Sequence, residues 1–369
     1  MTRGPLADKI IRRIRAEGPL SVAAYMAMAL HDPALGYYAT RRPLGADGDF
    51  VTAPEISQVF GELLGVWCAL MWERIGRPVP VILAELGPGS GTLAADLLRA
   101  AAALPEFRRA LRLYLIEPSP ILQAEQQRRL EAADPVWLAR AEELPPGPLL
   151  LVANEFLDAL PIRQLVRGDR HWAERGVGLG PEGDRLAFAD GAESPVIDLL
   201  VAEPLRHTAA AGAVVEICPA GLAIAAALGA RLQRWPGAAL FIDYGYFPSA
   251  PGPSLRGVRH HRPVDALQAP GTSDLSADVD FAAFAQAARA AGAEVSGPVP
   301  QGDFLRALGI SARLAALTAR ATPAARERLK SGVERLLDPA QMGTLFKALA
   351  LTSPGLGTPP GFNAGETGR

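Results

Sequence analysis

In the stretch VILAELGPGSGT, residues 81–92, three glycines alternate (Gly87, Gly89, Gly91) directly after an apolar run, and an acid, Glu85, stands two positions before the first. A strand that breaks into a glycine-rich turn and restarts as a helix aims unpaired backbone N–H groups at whatever occupies the turn, so this stretch has the make-up of a nucleotide site. A second apolar run, in LYLIEPSP, ends at Glu117, where a carboxylate can accept hydrogen bonds from both hydroxyls of a ribose. A third ends in VANEFLDALPI and sets Asn154, Glu155 and Asp158 at one strand end, a grouping suited to gripping a cationic nitrogen. Each feature also has a plainer explanation: a tight turn at the glycines, solvated acids at Glu117 and Glu155, and a helix N-cap at Asp158.

The elements that must position these residues alternate along the chain. Strands are expected at 81–86, 111–116, 136–139 and 149–153, with helices between them to residue 103 and over 119–132. That alternation implies a parallel sheet covered on both faces. Ahead of it, residues 6–17 and 21–30 read as short helices and 55–75 as a buried one, with Trp67, Met71 and Trp72 as core packing. After Pro161 the pattern shortens to runs such as IRQLVR and DRLAFAD, which predict an inserted antiparallel unit over about 162–212. The parallel scheme is expected to resume with AVVEI, a helix over 220–235 and the strand AALFIDYG. A loop over 246–277, a helix over 280–291 and a last strand near 345–351 follow. The domain reading is a helical extension with a cofactor-covering loop over 1–78, a core over 79–245, a substrate-side region over 246–352 and a disordered tail over 353–369.

The glycine spacing narrows the ligand. A dinucleotide fingerprint is G-x-G-x-x-G, and here Thr92 stands where its third glycine would fall. The alternation instead resembles the S-adenosylmethionine motif of Rossmann-like methyltransferases, in which an acid commonly ends the first strand. Glu85 then meets the ammonium of the cofactor's methionine part, directly or through water, and Gly87, Pro88, Gly89, Gly91, Thr92 and Glu117 complete the cofactor set. Methyl transfer is an in-line displacement, so a protein mainly positions the reactants and tunes their electrostatics. An arginine acceptor would bring two cations together, a repulsion of about 4 kcal/mol at 4 Å with an effective dielectric near 20. Glu155 offsets this by a bidentate pair with the guanidinium, with Asp158 second and Asn154 beside them.

Two further stretches bear on the pocket. LGADGDFVTAPE, residues 44–55, has the chemistry of a segment that folds over a ligand, with Asp49, Phe50, Thr52 and Glu55 as contacts, or is simply a turn and a helix cap. APGTSDLSADVDF, residues 269–281, is acidic, and Asp274, Asp278 and Asp280 face a basic substrate or cap a helix. His260 and His261 are adjacent, which disfavours joint metal ligation, so no metal is expected. The 369 residues carry a net charge of −2 with 21% charged and 49% hydrophobic side chains, enough for a full core and without the basic face that nucleic acid requires. The apolar run VAAYMAMAL is too short to span a bilayer. Two distant cysteines, Cys68 and Cys218, argue against disulfides or zinc and fit a reducing cytosol.

Several long segments, in order, carry a family resemblance: YMAMALHDPALGYYATRRPLGADGDFVTAPEISQVFGELLGVW, ELGPGSGTLAADLLR, ANEFLDALP, VEICP, PGTSDLSADVDF, QGDFLRALGI and MGTLFKALA. Over roughly residues 10–353 the chain resembles the MidA-like methyltransferases, the family of the mitochondrial complex I assembly methyltransferase. The resemblance implies an α/β class I fold with a mostly parallel seven-stranded sheet, an N-terminal helical extension and inserted antiparallel and helical elements. It also implies S-adenosyl-L-methionine as cofactor and a protein substrate, symmetric arginine methylation of a respiratory complex I subunit. Glu155 resembles one carboxylate of the acidic loop that grips arginine in protein arginine methyltransferases, while the second glutamate of that loop has no counterpart nearby. The chain begins almost at the family core, from which a bacterial cytoplasmic member is expected. Two other readings stay open: a small-molecule or lysine methyltransferase, and an assembly chaperone that binds the cofactor without turnover and uses 246–277 for its partner.

Overall fold

The buried runs become neighbouring strands of one sheet. The computed structural model describes residues 4–40, 52–260 and 262–362, so Asp49, Phe50 and His261 lie outside the described residues. Within it, β1 (Val81–Leu86), β2 (Leu111–Ile116), β3 (Val136–Leu138), β4 (Leu149–Asn154), β5 (Gly237–Tyr246), β6 (Glu294–Pro300) and β7 (Phe346–Thr352) pair in the order β6-β7-β5-β4-β1-β2-β3. β1 to β5 are parallel, and β7 runs antiparallel to both β5 and β6. Every residue of β1 and β4 is buried, as strands covered on both faces must be. The first strand in sequence lies mid-sheet, between β2 and β4, which makes its carboxyl end the point where the winding reverses.

The described residues divide into two units. The one built on this sheet takes the spans Val51–Phe156, Ile224–Gly245 and Ala285–Arg369. Its core joins Leu83, Val152 and Leu240 of the strands to Phe60, Leu64, Trp67 and Met71 of the helix Gln58–Arg74. A single helix over 55–75 is not what forms. Ser57 is extended at φ −157°, and its hydroxyl accepts the Val59 N–H, so Ala53–Ile56 is a separate helical turn. The tail also differs from the expected disorder over its described part: Phe362 packs on Phe304 in the core, and Trp67 Nε1 donates to the Pro360 carbonyl at 3.2 Å. The proline-glycine composition hid an aromatic anchor; residues 363–369 lie outside the described residues.

The other unit takes Met1–Phe50, Leu157–Ala223 and Tyr246–Phe284. Its helices Pro5–Glu17 and Val22–His31 bury Ile10, Tyr25 and Met26, and Ser21 caps the second through the Ala24 N–H. Strands Arg163–Arg167, Trp172–Leu179 and Leu186–Asp190 pair antiparallel where an insertion is expected over about 162–212, and Val214–Ile217 joins them. AVVEI belongs here and not to the parallel scheme, because Val214–Ile217 pairs antiparallel with Arg163–Arg167. A short β-branched run reads alike in both settings, and the parallel scheme resumes only at β5. The expected loop over 246–277 contains a three-stranded antiparallel sheet, Arg256–Arg259 between Arg262–Val264 and Asp274–Ser276.

Candidate functional site

The parallel register sets the carboxyl ends of β1, β2 and β4 side by side, with Leu86 opposite both Ile116 and Ala153. Residues just beyond these ends continue the ladder. Gly87 N–H donates to Ile116 O at 3.2 Å, Glu117 N–H to Leu138 O at 3.0 Å and Glu155 N–H to Ile242 O at 2.9 Å. Glu85, Glu117, Asn154 and Glu155 are thereby fixed along one edge of the sheet-bearing unit by backbone bonds.

At β1 the chain turns through Gly87, Gly89 and Gly91 at φ +62°, +54° and +79°, left-handed conformations that side chains other than glycine adopt at a cost. Gly91 caps the helix Thr92–Ala101. Glu85 lies behind this turn, and its Oε2 is buried with no hydrogen-bond partner among the described residues. Burial pushes its carboxyl up to about 8, against a hydrogen bond from the Ala94 N–H and with a further upward push from Asp96. Glu117 is held by the Ser119 N–H at 2.8 Å. Burial raises it to about 7, with the Ser119 and Gln126 hydrogen bonds opposing.

Gln126 is a residue that the sequence did not single out. Fully buried on the helix Pro120–Leu130, it donates to the Gly89 carbonyl at 2.8 Å, accepts from Trp137 Nε1 at 2.8 Å and also bonds Glu117. One amide thus ties the glycine turn to the acid at the end of β2. A glutamine in a polar helix carries no periodic signal, so only the fold reveals it.

The end of β4 carries a second constellation. Asn154 is buried, donates through Nδ2 to Glu155 Oε1 at 3.1 Å, and its own Oδ1 has no partner among the described residues. Glu155 sits at φ +51°, a strained region for a residue with a side chain. Its Oε1 also accepts the Ala53 N–H at 3.0 Å. Asp243, within β5 just past Ile242, the register partner of Asn154, is almost fully buried and receives the Phe156 N–H at 3.1 Å, a role that its sequence context does not signal. The structure brings Asn154 and Glu155 together. Asp158 belongs to the other unit, where its carbonyl accepts the Ala277 N–H and its carboxylate lies near Tyr38.

The remaining candidates have structural work. Thr52 precedes the Ala53–Ile56 turn without a side-chain cap, and Glu55 accepts from the hydroxyls of Ser90 and Thr92. Asp274 accepts the Tyr38 hydroxyl, Asp278 pairs with Arg256 at 2.8 Å, and Asp280 receives Ser249 Oγ and the Ala283 N–H. His260 is exposed at φ +50°. Among the described residues no group of three or more His, Cys, Asp or Glu is placed to hold a metal.

A mostly parallel sheet in this order, with a glycine turn and buried acids at its point of reversal, defines a Rossmann-like α/β methyltransferase fold. A family model described as S-adenosyl-L-methionine-dependent methyltransferase matches residues 63–299, and the chain belongs to that family. It is 36% identical over 94% of its length to the Drosophila melanogaster "Protein arginine methyltransferase NDUFAF7 homolog, mitochondrial", covering 85% of that protein. To the Homo sapiens protein arginine methyltransferase NDUFAF7, also named mitochondrial, it is 34% identical over 94% of this chain and 83% of that one. The crystal structure of a Burkholderia thailandensis superfamily member bound to S-adenosyl-homocysteine superposes with a TM-score of 0.81 at 30% identity, covering 98% of this chain and 96% of that one. The chain is an S-adenosyl-L-methionine-dependent methyltransferase. No helix among the described residues is long and apolar enough to cross a membrane.

The residues present fit that cofactor. An orphaned buried carboxylate oxygen at Glu85 calls for a cationic donor such as an amino group, and a second buried acid at Glu117 suits paired hydroxyls.

Proposed function

We propose that this enzyme methylates arginine in a protein, and that its acceptor is a subunit of respiratory complex I handled before assembly. Its relatives, named protein arginine methyltransferases at 34% to 36% identity, support the acceptor class, and the strained Glu155 at the end of β4 is the observation that carries it here. In this reading Glu85, Gly87, Pro88, Gly89, Gly91, Thr92 and Glu117 hold the cofactor, which supplies an electrophilic methyl group on a sulfonium. Thr52, next to the Ala53–Ile56 turn, is a further cofactor contact. The Glu155 carboxylate pairs with the guanidinium, offsets the repulsion between two cations and orients one terminal nitrogen. Asn154 steadies that carboxylate through Nδ2 and offers Oδ1 to an N–H of the acceptor. A cytoplasmic location forms part of the same proposal, although the named relatives are mitochondrial.

The test is to incubate the protein with labelled S-adenosylmethionine and the candidate subunit and to analyse the hydrolysed product. Symmetric dimethylarginine is the expected result. Label on lysine or only on small molecules overturns the acceptor assignment, and restored assembly without label favours a chaperone.

Two buried acids make cofactor binding depend on pH. Both carboxyls are raised in the ligand-free fold, so they are protonated where unfolded carboxyls are not, and the stability this gives is lost as pH rises through about 7 for Glu117 and about 8 for Glu85. The amino group and the ribose hydroxyls favour the ionised acids. Affinity for S-adenosyl-homocysteine should therefore rise across the same window, with proton release visible by calorimetry in buffers of different ionisation enthalpy. Affinity that stays level or falls over that window contradicts these roles.

A further inference from the structure

Glu55 was a sequence candidate for touching the ligand, and its surroundings give it another task. Its Oε1 accepts Ser90 Oγ at 2.5 Å and Thr92 Oγ1 at 2.7 Å, while those two hydroxyl oxygens are 2.9 Å apart. Arg129 Nη1 donates to Ser90 Oγ at 3.1 Å and stands 3.8 Å from Glu55 Oε1. A hydroxyl has one proton to give. Both protons go to the carboxylate, so the close Ser90 to Thr92 contact has none between its oxygens. The pair is held by the acceptor it shares and by the Arg129 donor on Ser90. Without Glu55 the two hydroxyls are free to bond each other or nearby backbone, and the turn loses the restraint on its last residues.

Ser90 and Thr92 flank Gly91, which caps the helix Thr92–Ala101. Holding these two side chains restrains the residues on either side of the cap, next to the first backbone N–H groups of that helix. The same short segment, Ala53–Ile56, also donates the Ala53 N–H to Glu155 Oε1. One six-membered stretch of chain, 52–57, thus touches both the glycine turn and the acid at the end of β4.

We infer that Glu55 is a positioning residue for the cofactor: it acts through the Ser90 and Thr92 hydroxyls to hold the glycine turn in its receiving shape, without contacting the ligand itself. The inference rests on the reading of the glycine turn as the cofactor's seat. It goes beyond that reading by assigning the order of the turn to an acid 35 residues upstream.

A double-mutant cycle on the full chain, read by calorimetric titration with S-adenosyl-homocysteine, tests it. Glu55→Ala should weaken binding about tenfold, as loss of two hydrogen bonds to a charged acceptor does when partly compensated. Glu55→Gln keeps an acceptor oxygen at the same place and should lose about threefold or less. In a Ser90→Ala/Thr92→Val background, Glu55→Ala should cost less than about twofold, because nothing remains for it to act through. With saturating acceptor, Glu55→Ala should raise KM for S-adenosylmethionine more than it lowers kcat. An equal tenfold loss in both backgrounds overturns the inference, since it means direct contact with the ligand. A lower melting temperature with unchanged affinity overturns it too, as does a Glu55→Gln variant as weak as Glu55→Ala. If Glu55→Ala fails to fold, the Glu55→Gln titration with and without the Ser90 and Thr92 hydroxyls decides. Failure of the wild-type protein to bind at the turn is a separate result and removes the underlying reading.

Discussion

Glu155→Gln should lower kcat by about a hundredfold to a thousandfold, the range seen when one electrostatic partner of a developing charge is removed, while affinity for S-adenosyl-homocysteine stays within about twofold. Glutamine is nearly isosteric. Its amide oxygen can still accept the Ala53 N–H and the Asn154 donor, so the fold at the end of β4 is preserved. What it lacks is the negative charge that lets a guanidinium approach a sulfonium, a repulsion of about 4 kcal/mol at 4 Å and an effective dielectric near 20. A companion variant separates function from stability. Residue 155 is held at φ +51°, and Glu155→Gly removes a left-handed strain of roughly 1 kcal/mol but loses both hydrogen bonds that the carboxylate accepts, from the Ala53 N–H and Asn154 Nδ2, each worth about 1.5–3 kcal/mol. Its melting temperature should therefore lie below that of the wild type with its turnover gone, whereas Glu155→Gln should lose turnover while melting near the wild type. Wild-type turnover in Glu155→Gln, with acceptor and cofactor both saturating, would exclude Glu155 from catalysis.

Gly87→Val should abolish cofactor binding, with affinity down by more than about a hundredfold. Two effects add. Gly87 sits at φ +62°, where a β-branched side chain is strained by roughly 1–2 kcal/mol. A Cβ there would also stand 2.9 Å from Phe156 Cδ2, closer than carbon atoms tolerate. The first effect destabilises the turn. The second pushes on the residue next to Glu155 and narrows the edge that the ligand's backbone contacts require. Gly76→Ala is the control, because Gly76 shares the positive φ of +90° but has open space where a Cβ would go. It should cost about 1 kcal/mol of stability and leave affinity unchanged. Titration calorimetry and thermal melting on both variants separate the contributions. Retained binding in Gly87→Val would mean that the cofactor does not lie against this turn.

Much of the sheet-bearing unit was legible in the sequence because its strands are continuous apolar runs that end in chemistry. The bounds of β1 and β2 coincide with the expected 81–86 and 111–116, and Glu85, Glu117 and Glu155 follow from being the acids at the ends of β1, β2 and β4. Residues whose meaning depends on distant partners were not legible. Gln126 matters for what it reaches at Gly89 and Trp137, 37 and 11 residues away, and Asp243 for the Phe156 N–H, 87 residues away. AVVEI reads as part of the parallel scheme because its β-branched alternation carries no direction, and it pairs antiparallel with Arg163–Arg167 instead. Pro360 and Phe362 were lost in a segment whose proline and glycine content masks one anchoring ring. The acids of APGTSDLSADVDF suggested a basic substrate by charge alone, yet Asp278 and Asp280 are engaged by Arg256 and by a helix start.

The most direct test of the cofactor's seat is a crystal structure of this protein with S-adenosyl-homocysteine. Its amino group should lie within hydrogen-bond reach of Glu85 and its ribose hydroxyls on Glu117, with the turn Gly87 to Gly91 against the amino-acid portion. The compound found away from the carboxyl ends of β1 and β2, or bound there with neither acid engaged, would contradict it.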